Sequence, residues 1–74
     1  MIKPNKGARA LRLEADKRGI RGAARHAGVS VSTFWHHVRG ESLPLYPTRM
    51  LYAKKLKVPA RWFDEPVEPV EVVW

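Results

Sequence analysis

Cysteine is absent from the 74 residues. That removes disulfides, thiolate zinc sites and cysteine nucleophiles, and it suits a reducing cytoplasm. Long apolar runs are missing too. No stretch approaches the ~20 residues of a membrane span, and no apolar segment follows Met1-Ile2-Lys3-Pro4 as it would in a secretory leader. The expectation is a soluble, unprocessed cytoplasmic chain with no membrane partner. Internal repeats and low-complexity tracts are also lacking, so the length allows one small domain.

Acid is scarce over most of the chain. Residues 1–63 hold all fourteen Lys and Arg and only Glu14, Asp16 and Glu41, a net of +11. Residues 64–74 hold Asp64, Glu65, Glu68 and Glu71 without a base, a net of −4. A small body this basic has a strong positive field, for which nucleic acid phosphates are the most natural counterion. The competing readings of charge alone are a solvated basic surface or attraction to an anionic membrane.

Residues 20–40, IRGAARHAGVSVSTFWHHVRG, carry the most information. Ile20, Ala23, Ala24 and Ala27 recur at the spacing of one helix face. Gly28-Val29-Ser30 interrupts that helix, and Val31, Phe34, Trp35 and Val38 then repeat the spacing. Two short helices around a tight Gly-containing turn make a helix-turn-helix, the unit that lays its second helix in the DNA major groove. The alanines let the two helices cross closely.

The same residues carry a family resemblance. Ala24, Gly28, Val29, Ser30 and Phe34 fall where helix-turn-helix proteins usually have Ala, Gly, an aliphatic residue, Ser and a large apolar residue. The run STFWHHVRG resembles the recognition-helix end of such motifs, and LYAKKLKVPARWFDEP (51–66) is similar to the tail of Cro/repressor-type domains. The two stretches cover about half of the chain. The resemblance is to small phage or bacterial regulators of the lambda-repressor-like superfamily, with departures at Lys57, where the family commonly has Gly, and at His37, where it keeps an apolar residue.

The expected fold is all-α: five short helices around an alanine- and leucine-rich core, plus an extended tail. Residues 1–65 form the domain and 66–74 the tail. Helices are expected over about 6–18, with Ala8, Leu11 and Ala15 on one face, then over 20–27 and 31–39. A fourth opens at Pro47 or Thr48 and runs to about 57, with Pro suiting the first turn and Thr the cap. Pro59 opens a single-turn fifth helix, in which Trp62 and Phe63 supply one core anchor and one partly exposed side chain. Prolines 66 and 69 forbid helix, and Val70-Glu71-Val72-Val73-Trp74 reads as a strand without a partner. Val70, Val72, Val73 and Trp74 are therefore the candidate dimer contacts, pairing antiparallel with a second copy.

On the third helix Phe34 and Val38 face the core. Periodicity alone would bury Trp35 beside Val31, but those two already fill the expected core positions, so Trp35 is expected outside. The resemblance turns Ser32, Trp35, His36 and Arg39 toward the groove. Arg39 can fork onto guanine O6 and N7, His36 can donate to or accept from a base edge, Trp35 can meet a thymine methyl, and Ser32 can reach a base or phosphate. Ser30 reads first as the helix N-cap, a position that can also seat a phosphate. Lys3, Lys6, Arg9, Arg21, Arg25, Ser30 and Thr33 are the candidate phosphate contacts, Arg21 foremost. Lys54, Lys55 and Lys57 read as solvated lysines, and His37 as a packed, hydrogen-bonded residue.

His26, His36 and His37 diverge on their helices with no acid at ligand spacing, so no metal site is expected. Ser30 and His36 lack a third orienting group, so neither catalysis nor a cofactor is expected. The functional expectation is sequence-specific double-stranded DNA binding by a repressor-type homodimer on a palindromic operator. The alternative is an antitoxin-type or other protein-interaction module that carries a DNA-binding domain and engages a protein partner through its tail. RNA binding is disfavoured by the lack of an exposed aromatic platform.

Overall fold

Asn5 starts the first helix because its side chain satisfies a donor that the helix cannot. Its Oδ1 accepts the Ala8 N–H at 2.7 Å, a side-chain N-cap. The structure, a computed structural model, describes residues 5–67. From this cap α1 runs Lys6–Arg18 and buries Gly7, Ala8 and Leu11. A side chain at Gly7 would overlap the Phe63 ring, so glycine is what lets that ring lie against the α1 backbone.

Gly19, at φ 80°, turns the chain directly into α2, Ile20–Ala27. Its three alanines, 23, 24 and 27, are fully buried. Gly28 stops α2 at φ 84°, a left-handed position that costs glycine little. The Gly28 N–H donates to the Ala24 and Arg25 carbonyls, and the Val29 N–H reaches back to Ala24 at 3.0 Å. One residue later Ser30 Oγ accepts the Thr33 N–H at 3.1 Å and opens α3, Val31–Val38. Three residues thus end one helix and cap the next. Arg39 is the capping residue of α3 rather than its last helical residue.

The fourth helix departs from expectation. α4 runs Tyr46–Leu56, opening ahead of Pro47 and Thr48, with Leu45 at the cap position and no side-chain cap. Pro47 lies within the first turn, where its missing N–H is harmless. Lys57 ends α4 at φ 61°, the left-handed conformation that glycine adopts more readily. The fifth helix is a 3-10 turn, Ala60–Asp64, because five residues between Pro59 and the extended Glu65 leave little room for α-type bonding. The protein is therefore all-α, with four α-helices, one 3-10 turn and no named strand among the described residues.

The core also differs in composition. Alanines line it as expected, but its centre is aromatic: Phe34, Tyr52 and Phe63 are buried, with Tyr52 edge-on to Phe34 at 6.0 Å and 5.7 Å from Phe63. Of the six leucines only Leu11 and Leu56 are buried, and Leu13, Leu43, Leu45 and Leu51 are exposed. Trp62 is half-buried beside the anchor Phe63. Arg49 locks α4 to its surroundings: its guanidinium donates to the Pro44 carbonyl and to Asp64, both at 2.9 Å.

The C-terminal segment folds back on the start of α1. The Lys6 N–H donates to the Glu65 carbonyl at 2.9 Å, Asn5 and Pro66 form an antiparallel bridge, and Val67 is buried. Packing therefore continues two residues into the expected tail. Lys3 and the candidate dimer contacts Val70, Val72, Val73 and Trp74 lie outside the described residues. Among the described residues no helix is long and apolar enough to cross a membrane.

Candidate nucleic-acid interface

The helical repeat decides what α3 shows to solvent. Phe34, His37 and Val38 point inward, which leaves Ser32, Trp35, His36 and Arg39 exposed on the other side. Trp35 keeps 45% of its surface exposed, and Val31 is exposed beside it. Apolar spacing alone would have buried both; Phe34 and Val38 reach the core first.

His37 is held inside by a specific partner. Its Nδ1 lies 2.6 Å from the Tyr52 hydroxyl, and the two rings meet edge-on at 5.7 Å. Burial, with the charge of His36 second, pushes the His37 pKa below its ordinary value. Burial also raises that of the Tyr52 phenol. Both groups are thus neutral near pH 7, and the phenol O–H, the better donor, donates a hydrogen bond to imidazole Nδ1. The pair fixes the rotation of α3 about its axis.

On the outer face one carboxylate gathers two of the exposed side chains. Glu41 accepts from His36 Nδ1 at 2.7 Å and pairs with Arg39 Nη2 at 3.4 Å. The Arg39 guanidinium also lies 5.9 Å from the centre of the Trp35 ring, within cation–π range. Trp35, His36, Arg39 and Glu41 therefore form one pre-arranged cluster at the end of α3. A carboxylate oxygen only accepts, so His36 donates to Glu41 through its Nδ1–H.

Ser30 and Thr33 are exposed at the start of α3, and the Ser30 hydroxyl donates to Thr33 Oγ1 at 2.9 Å. Arg21 and Arg25 are exposed one turn apart on α2. Lys6 is drawn elsewhere: it pairs with Glu65 at 3.1 Å and, with Arg9, lines a shallow apolar groove floored by Ala10, Leu13 and Trp62. The structure thus gathers the α3 candidates but groups Lys6 and Arg9 with the C-terminal segment.

Sequence spacing missed Glu41, Tyr52 and Arg49. Glu41 had a signal, as the one acidic residue between Asp16 and Asp64 in a basic stretch. His26 was also passed over. Its Nε2–H donates to the Lys55 carbonyl at 3.0 Å, tying α2 to an unpaired carbonyl at the end of α4. Among the described residues no three His, Asp or Glu side chains gather as metal ligands. Comparison with known protein families, curated protein sequences and solved structures finds no match to this chain.

Proposed function

We propose that α2, the turn 28–30 and α3 are a helix-turn-helix, and that the chain binds double-stranded DNA sequence-specifically. It acts in the cytoplasm as a repressor-type transcriptional regulator and binds a palindromic operator as a homodimer. The observation that carries this reading is the exposed, internally organised strip on α3, turned outward by the buried Phe34, His37 and Val38. Eight residues give a helix about 12 Å long, the scale of the major groove.

Within this reading Arg39 forks onto guanine, and Trp35 meets a thymine methyl. The Glu41 contact holds the His36 ring in place through Nδ1, leaving Nε2 for a base edge. Ser32 completes the strip. Arg21 and Arg25, with Ser30 and Thr33, hold phosphates on either side. Lys3, Lys6 and Arg9 supply further backbone contacts, for which Lys6 must release Glu65.

The test is a competition between duplex DNA and structured RNA at matched salt. The expected outcome is preferential retention of the duplex, with an affinity that falls steeply as salt rises. Preference for RNA would overturn the reading.

A further inference from the structure

α4 is apolar on two opposite faces. Its inner face places Tyr52 and Leu56 in the core. Its outer face carries Tyr46, Pro47, Met50 and Leu51 over the first two turns, all exposed, within an arc of about 140° at 100° per residue. Leu43 and Leu45, just before the helix, continue the patch; Leu45 is 78% and Tyr46 68% exposed. A helix with apolar residues all round normally has both faces covered. Here nothing among the described residues covers the outer one.

We infer that this surface, Leu43, Leu45, Tyr46, Met50 and Leu51, is where a second copy of the chain docks. Two features select that occupant. The first is area: the five side chains together expose on the order of 500 Å², near the upper range for a monomer's largest patch. Two copies would bury about 1,000 Å², the lower bound for a specific interface and the range of weak, reversible association. The second is charge. The chain carries +7, so two copies repel wherever charged surfaces meet, and residues 42–48 offer seven consecutive uncharged positions. Contact through this patch avoids the like-charge penalty.

The inference deepens the DNA-binding reading and rests on it for its consequence. Only residues 40–45 separate Arg39, the last residue of the α3 strip, from Tyr46, so a dimer formed through α4 would carry two α3 strips related by its two-fold axis. Self-association itself needs no DNA and is measured without it.

Sedimentation equilibrium of the full chain tests it, comparing the wild type with Tyr46→Lys and Met50→Lys, each checked for an unchanged circular dichroism spectrum. The wild type is expected to shift from 8.5 kDa toward twice that mass as concentration rises to about 1 mM. The shift should strengthen with salt, which screens repulsion between the copies. Both variants should stay monomeric. They should keep wild-type affinity for a single half-site while losing the extra affinity of the palindrome. A monomeric wild type throughout that range, or dimers that survive both substitutions and vanish on removal of residues 68–74, would overturn the inference. DNA affinity lost on half-site and palindrome alike, with self-association intact, would instead count against the DNA-binding reading.

Discussion

Replacing Tyr52 by Phe removes one oxygen atom from the interior and leaves the rest of the ring in place. The Tyr52 ring is fully buried against Phe34, His37 and Phe63, and Phe preserves those contacts. What is lost is the 2.6 Å bond to His37 Nδ1, in a side chain only 7% exposed. An acceptor left without a donor in such a place costs about 1–3 kcal/mol. A chain of this length has about 4–11 kcal/mol of stability in total, and each kcal/mol lowers Tm by about 4–8 °C. His37→Leu strands the phenol instead and should cost a similar amount. The double variant removes both polar partners, so its cost should fall short of the summed single costs by about 1–2 kcal/mol. Urea unfolding followed by tryptophan fluorescence measures all three. The reasoning fails if Tyr52→Phe lies within about 0.3 kcal/mol of wild type, or if the single costs simply add. The same pair has a pH signature. His37 stays neutral in the fold while the unfolded chain takes a proton near the ordinary value of 6.5. Below that pH the unfolded state binds more protons, so stability falls with acid until the folded ring protonates as well. His37→Leu should remove this component of the slope.

Other substitutions probe separate parts of the structure. Lys57→Gly relieves a left-handed residue and should raise stability by up to about 1 kcal/mol, read as a higher Tm. On a defined site, Arg39→Ala and His36→Ala should each cost about 1–3 kcal/mol and change the preferred base. Arg21→Ala should weaken every sequence alike and lower the salt slope by about one. Glu41→Gln releases His36 and Arg39 from their shared carboxylate. It should tighten binding to random duplexes, steepen the salt dependence by up to about one phosphate contact, and reduce discrimination between sites.

The parts of the fold written in local signals were legible from sequence. Ser30 caps α3 with its own side chain, Gly28 supplies positive φ, and the alanine spacing of α2 marks its buried face. Each of these acts within four residues. The start of α4 was set one or two residues late because Pro47 tolerates any early position in a first turn, while the true cap position is occupied by Leu45, which carries no capping group. The leucines misled for a related reason: hydrophobicity marks what can be buried, and the aromatic trio Phe34, Tyr52 and Phe63 filled that space instead. Contacts joining distant positions were not legible. His37 to Tyr52, Arg49 to Asp64 and His26 to Lys55 span 15, 15 and 29 residues, and no periodicity encodes them. Within the α3 strip, outward placement followed from the family resemblance, with Phe34 and Val38 filling the core positions that spacing alone would have shared with Trp35. The Glu41 contact lies beyond the helix end, where that spacing no longer applies.

Selection of duplexes from a randomised library by the intact protein tests the central claim most directly. If the outer face of α3 reads base edges, enrichment should converge on two inverted copies of a short motif. Their centres should lie about one helical turn, ~34 Å, apart. Tight, salt-sensitive binding with no enriched sequence would contradict it and leave a basic protein that holds DNA by its phosphates alone.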